Sequence, residues 1–316
     1  MYFTLLSTLL STLLTIGPCL CSKGFDYSDG HSGPEHWKDM PGSFCGGESQ
    51  SPIDIRSNET VDDLTNLKPL IINYQDEMVN AESKNNGHSW SISTSDPKES
   101  YTISGAGLPE DYYLASFHFH WGQSDDEGSE HNVDGLPAPL EMHLVHYKSS
   151  LSLETAVNSS EGLAVLGILF EISEEDNEYM NSILSNIDNQ TAPSEVGEKI
   201  GSPVFLNELI EPLVYDSFYY RYSGSLTTPN CNEVVIWSVF QKRLQISSYQ
   251  LSKFRNLKTD KKGLTPMTKN FRPVQPMNGR SVYIGSTLVA GAAAIVPGVG
   301  ALLLVFTIAF SLVHEL

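Results

Sequence analysis

A mostly β, single-domain fold with minor helices is the class that three features of the sequence predict. Short apolar or alternating runs recur at residues 70–74, 90–95, 112–121, 140–147, 163–172, 218–222 and 234–240. They are rich in β-branched and aromatic residues and have the length of strands. Gly, Asn, Asp and Pro punctuate the gaps between them. No low-complexity linker or internal repeat divides residues 22–280, so one domain fills that span. Helical spacing stands out only around residues 178–187 and 247–257.

Taken from the amino end, residues 1–21 form an apolar leader ending in small residues, the pattern of a signal peptide. The leader lacks the usual positive charge near Met1. Its removal takes away Cys19 and Cys21 and leaves Cys45 and Cys231, a pair that suits one disulfide in a secreted chain. Asn58, Asn158 and Asn189 open N-x-Ser/Thr sequons, which fit glycosylation in the same compartment. The net charge of −19 and the lack of a basic patch exclude a nucleic-acid binder.

At the other end, residues 281–313 carry no charge, and 300–313 are strongly apolar. A spanning helix of about 20 residues fits there, but only His314, Glu315 and Leu316 follow it, without the Lys or Arg expected on a cytoplasmic flank. Small residues, a spacer and an apolar tail instead fit a glycosylphosphatidylinositol (GPI) anchor signal, with Asn278, Gly279, Ser281, Gly285 and Ser286 as possible attachment residues. Residues 281–316 are accordingly expected to form the anchor region, and the protein to reach the outer face of the plasma membrane.

Chemistry concentrates in two runs, Ser116-Phe117-His118-Phe119-His120-Trp121-Gly122 and Glu141-Met142-His143-Leu144-Val145-His146. In a strand, His118 and His120 share one face, and Phe117, Phe119 and Trp121 share the other. A neighbouring antiparallel strand can bring His143 opposite the pair. Three neutral imidazoles without a fourth protein ligand describe a catalytic zinc site with one open position. His88 follows an Asn-Gly turn at the mouth of a strand. Alone it reads as a surface residue, as Glu130 reads as a solvated acid and the Thr227-Thr228-Pro229 turn as local backbone bonding.

These pieces together resemble the α-class carbonic anhydrases of the secreted and membrane-attached branch. The resemblance rests on Gly33-Pro34-Glu35-His36-Trp37, Gln50-Ser51-Pro52-Ile53-Asp54-Ile55, Asn86-Gly87-His88, the two histidine runs, Ser129-Glu130-His131, Gly162-Leu163-Ala164-Val165-Leu166-Gly167, Ser225-Leu226-Thr227-Thr228-Pro229 and Phe271-Arg272-Pro273, in matching order and spacing. It implies a large, twisted, mainly antiparallel sheet with a conical cleft, and reversible hydration of CO2 to bicarbonate and a proton.

By the same resemblance, His118, His120 and His143 hold Zn2+, which lowers the pKa of its bound water to about 7, a value for which carbonic anhydrase is itself the standard case. The resulting hydroxide attacks CO2. Thr227 accepts its proton and donates its own to Glu130, while Glu141 holds the tautomer of His143. Val145, Val165, Leu226, Val235 and Trp237 form an apolar wall for CO2, with Thr227 and Thr228 on the substrate side. His88 carries the released proton to solvent, and Cys45–Cys231 braces the threonine turn. His36, His131 and His146 match structural or rim positions. Ser116 stands where many relatives have Gln, the usual partner of the first zinc histidine, and Phe25 where many have Trp. The competing class is a catalytically weak relative acting as an extracellular binding or matrix protein. Such relatives typically lose zinc histidines, and this chain keeps all three.

Overall fold

The structure, a computed structural model, describes residues 24–287 apart from 68, 189 and 216. The leader at 1–21, the apolar tail beyond 287 and the sequon residue Asn189 lie outside the described residues. Among the described residues thirteen strands form one sheet, and its main path runs Glu198–Lys199, Ala81–Asn85, Trp90–Thr94, Tyr112–Trp121, Leu140–Lys148, Leu163–Ser173, Val235–Phe240, Phe218–Gly224, Tyr283–Ser286 and Val61–Asp62. Leu70–Tyr74 joins through Tyr101–Gly105, and Leu244–Ser247 pairs with the far end of Leu163–Ser173.

Pairing in this sheet is mainly antiparallel, as expected. The parallel contacts are those of Leu163–Ser173 with Val235–Phe240 and Leu244–Ser247, and of Val61–Asp62 with Tyr283–Ser286. Leu163–Ser173 begins with eight consecutive buried residues because both of its faces are covered. Ala164, Leu166, Ile168 and Phe170 join the larger apolar cluster, and Leu163 and Val165 join a second one. Phe117, Phe119 and Trp121 enter the larger cluster and are fully buried. One face of the Tyr112–Trp121 strand is therefore core, which leaves its histidine face free for chemistry.

The two expected helices form as Glu178–Leu184, capped by Asn177, and Ser248–Arg255, capped by a Ser247–Gln250 box. A third helix, Leu206–Val214, was not expected: it buries Leu206, Leu209, Ile210 and Leu213 although Pro212 lies inside it. The Gly- and Pro-rich opening is a packed loop. Trp37 sits at its centre against Phe25, Tyr27 and the Cys45–Cys231 disulfide, which ties this loop to the turn carrying Thr227 and Thr228.

The fold also runs past residue 280, where its edge was expected. Val282 is buried, Tyr283–Ser286 is paired on both sides, and the Thr287 N–H donates to the Ser217 carbonyl at 2.9 Å. Strand pairing overrides the expectation that all of 281–316 belongs to the anchor region.

Candidate metal centre

The register between the two histidine strands builds the site. His118 lies directly opposite His143, and His120 opposite Glu141. A register irregularity between Leu114 and Ser116 precedes the run in which Ser116, His118 and His120 share a face. The three rings converge, with centroids 5.0 Å apart for His118–His120, 5.2 Å for His118–His143 and 4.6 Å for His120–His143. Their ligand atoms all lie within 4.8 Å of one another.

Each ring has a distinct environment. The Nδ1 of His120 pairs with the Asn270 carbonyl at 2.8 Å, while its Nε2 is buried without a partner. The Nε2 of His143 pairs with Glu141 Oε1 at 2.7 Å, which leaves Nδ1 as the ligand atom. No hydrogen bond from a described residue reaches the His118 ring, which is half-buried. Burial pushes the imidazolium form out of all three: His118 falls well below its usual pKa, His120 to about 4, and His143 is lowered despite Glu141. Three neutral imidazoles, one with an orphaned buried nitrogen aimed at no protein group, fit a zinc ion.

Two buried carboxylates stand behind the rings. Glu141 accepts four N–H groups. Oε2 takes the backbone N–H of Glu130 and of His131, both at 2.8 Å, and Oε1 takes His131 Nδ1 at 2.6 Å and His143 Nε2 at 2.7 Å. Burial opposes its ionisation, but His131 and His143 overcome that and hold it well below the usual carboxylate range. Gly167, opposite His143 in the next strand, makes room for this carboxylate, since a Cβ there would lie 3.2 Å from Glu141 Oε1.

Glu130 is different: burial pushes its pKa up to about 7, against the opposing pull of His143, Thr227 and the Arg272 N–H. That N–H donates to Oε1 at 2.9 Å, while Oε2 has no hydrogen-bond partner. Thr227 thus acts on the Glu130 carboxyl as a polar neighbour without completing a bond to it. A cation among the imidazoles would favour the carboxylate form.

Thr227 is buried and Thr228 half-buried. Their turn is fixed by Leu226 N–H to the Asn232 carbonyl, Cys231 N–H to the Thr228 carbonyl and Trp237 Nε1 to the Ser225 carbonyl. Val145, Val165 and Trp237 form one row across three neighbouring strands. Val235 and Leu226 belong to the same apolar cluster, and the Trp237 ring packs on His143 at 4.8 Å. His88 is half-buried and stacks on Phe25, with centroids 3.9 Å apart and planes 16° apart. Burial lowers its pKa, and Asp26 opposes that. Phe25 therefore provides an aromatic platform for His88.

His146 faces away from the centre, bonded to Tyr74 and the Ala164 carbonyl. His131 is fully buried between Glu141 and the Tyr222 hydroxyl, which itself donates to Ser51. Sequence reasoning missed Asn270 altogether. Its carbonyl holds His120, and its side chain bonds the His88 and Phe119 carbonyls and accepts from the Trp121 N–H. Nothing in a lone asparagine after a lysine marks such a role. Tyr27, whose buried hydroxyl has no partner and whose ionisation is opposed by burial and by Glu130, was also missed.

A β-sheet presenting three neutral imidazoles from two paired strands, backed by buried carboxylates, is a scaffold that could hold a metal ion. The chain belongs to the eukaryotic-type carbonic anhydrase family, whose sequence profile matches residues 32–286. Among curated proteins it is similar to carbonic anhydrase 15 of Mus musculus, 37% identical over 266 residues that cover 82% of this chain and 81% of the relative.

Proposed function

We propose that the protein catalyses the zinc-dependent, reversible hydration of CO2 to bicarbonate and a proton at the extracellular face of a membrane. The observation that carries this reading is the convergence of neutral His118, His120 and His143, with Thr227 and Glu130 beside them, in a chain of the carbonic anhydrase family. Zn2+, when bound through His118, His120 and His143, supplies the Lewis acidity that makes hydroxide available near neutral pH.

The chain's own residues then divide the work. Glu141 fixes the proton of His143 on Nε2 and so keeps Nδ1 free to bind metal. Glu130 is the acceptor toward which the neighbouring Thr227 hydroxyl would turn to donate, which would leave the Thr227 oxygen to accept from the nucleophile and aim it. The Val145–Val165–Trp237 row, with Leu226 and Val235, offers CO2 an apolar surface. His88, half-buried at the edge of the N-terminal loop, takes the product proton outward.

Zinc content together with CO2 hydration, measured with and without a sulfonamide, tests the reading. Protein without zinc and without hydration activity overturns it and leaves the binding-module class. The disulfide supports passage through the secretory pathway, as do the sequons at Asn58 and Asn158, both exposed. No helix among the described residues is long and apolar enough to cross a membrane, and the apolar tail suits a GPI signal. Release from cells by a phosphatidylinositol-specific phospholipase tests that part, and full resistance overturns it.

A further inference from the structure

We propose that the N-glycan carried by Asn158 folds back onto Phe44, with its first N-acetylglucosamine seated in the cleft between the two residues. The placement rests on the secretory-pathway reading and gives one of its sequons a seat for its own sugar.

Three segments meet at this cleft. It is lined by Phe44, Asn158, Asn232, Glu233 and Val234 and holds about 220 Å³, room for one sugar ring. Phe44 comes from the opening loop, Asn158 from the turn after the short helix Leu153–Ala156, and the other three from the segment after Cys231. The Cys45–Cys231 disulfide ties the Phe44 wall to the wall facing it.

Each wall is fixed by the protein itself. The Phe44 N–H donates to the Asn230 carbonyl at 3.0 Å, and the Gly47 N–H donates to the Phe44 carbonyl at 2.9 Å. The Phe44 side chain nevertheless stays 59% exposed. Val234 packs half-buried on the apolar cluster that contains Val235. The Asn158 carboxamide is held at both ends: Oδ1 accepts from Asn232 Nδ2 at 3.3 Å, and Nδ2 donates to the Glu154 carbonyl at 3.2 Å. Asn232 Nδ2 also donates to the Val157 carbonyl at 2.7 Å. An amide nitrogen bears two N–H groups, so the one left after attachment can keep the Glu154 bond.

A single exposed phenylalanine is ordinary on a protein surface. What sets Phe44 apart is that a glycosylation acceptor lines the same cleft. A pyranose ring offers an apolar face of C–H groups edged by polar groups, and an aromatic ring is the surface that suits such a face. Glu233 Oε1 already accepts the Ser49 N–H at 2.7 Å and the Gln50 amide at 2.8 Å, which leaves Oε2 to accept from a sugar hydroxyl or acetamido N–H. In the transfer to the sequon Asn158-Ser159-Ser160, the C1–O bond joining the oligosaccharide to its polyprenyl diphosphate carrier breaks. A C1–N bond to Asn158 Nδ2 forms, and the proton lost by that nitrogen leaves with the diphosphate.

The test uses the full chain expressed in animal cells and purified in detergent. Glycopeptide mass spectrometry reads the occupancy of each sequon, and peptide N-glycosidase digestion of the native protein reads how fast each glycan is removed. Asn158 is expected to be occupied, and Phe44→Ala to speed its release by about 2- to 13-fold, the change one aromatic contact supports. Release at Asn58, which is exposed on the turn Ser57–Glu59, is expected to be unchanged. Phe44→Tyr, which keeps the ring, is expected to match wild type at both sites. Phe44→Ala is also expected to lower the thermal midpoint by about 1–6 °C in the glycosylated protein and to leave it unmoved in an Asn158→Gln background, the mark of a coupled pair. An occupied Asn158 whose release rate and midpoint are indifferent to Phe44 overturns the proposal and leaves the secretory reading standing. A bare Asn158 beside an occupied Asn58 has the same consequence. A chain without glycan at any sequon overturns the proposal together with the glycoprotein reading it rests on.

Discussion

Replacing Glu141 by glutamine probes the support of the metal centre with almost no change in shape. The wild-type carboxylate is acceptor-only and receives two N–H groups on each oxygen, at 2.8 and 2.8 Å on one and 2.6 and 2.7 Å on the other. A glutamine amide has one acceptor oxygen, so two of the four donors must face an NH2 group. If the amide oxygen stays with the imidazoles, two buried backbone N–H groups lose their partner. At about 1–3 kcal/mol each, that costs the fold about 2–6 kcal/mol. If the oxygen stays with the backbone instead, His143 can relieve the clash by moving its proton from Nε2 to Nδ1. That rearrangement is the less costly one, and it blocks the atom that binds metal. A penalty of about 1–3 kcal/mol then appears in zinc binding as a loss of about 5- to 150-fold. The loss overlaps the range known for such outer partners, of which carbonic anhydrase is itself a standard case. Zinc affinity measured by competition with a chromophoric chelator, beside the thermal midpoint of the metal-free protein, reads both branches. A Glu141→Gln variant with wild-type zinc affinity and wild-type stability would refute the argument from the four donors.

Four further outcomes are expected. Thr227→Ala retains zinc and loses most CO2 hydration, read by metal analysis and stopped-flow assay; unchanged turnover removes the Thr227–Glu130 relay. His88→Ala lowers the maximal rate in weak buffer, and added imidazole restores it; a variant as fast as wild type in weak buffer makes His88 a bystander. Ser116→Gln gives the His118 ring a hydrogen-bond partner that no described residue supplies and raises zinc affinity by about tenfold, the low end of the range for outer partners; equal or weaker affinity counts against a loosely held His118. Acidification destabilises the metal-free protein through His146, which burial pushes down to about 3 from an unfolded value of about 6.5. The folded value is the lower one, so the unfolded chain binds more protons throughout that window. Stability is therefore lost as pH falls below 6.5, by up to about 1.4 kcal/mol per unit for this group. Guanidinium unfolding at pH 6.5 and 5 checks this, with a shallower slope for His146→Gln; equal slopes for the two proteins would exclude His146 as the source.

Period-two alternation in residues 112–121 placed the histidines and the aromatics on opposite faces before any pairing was known, and the strand formed with those bounds. Alternation is local, so the sequence carries it. The Leu206–Val214 helix shows the opposite case. Its apolar residues recur at positions 206, 209, 210 and 213, a helical spacing, but Pro212 argues locally against a helix. Burial of that face against the core decided the matter. Tyr283–Ser286 likewise looked like the start of an apolar tail, and only its partners, far away in the chain, made it a strand.

The sequence by itself determined the same-face pattern of the histidines and the β-rich class, because each depends on residue type and short-range spacing; the roles of Glu130, Glu141 and the threonine turn came from the family resemblance. Tertiary structure alone decided that His118 faces His143, that His120 leans on the Asn270 carbonyl, and that Glu141 gathers four donors. It also decided that Tyr283–Ser286 is a paired strand of the sheet. These depend on strand register and on contacts between residues as much as 150 positions apart, which no local pattern records.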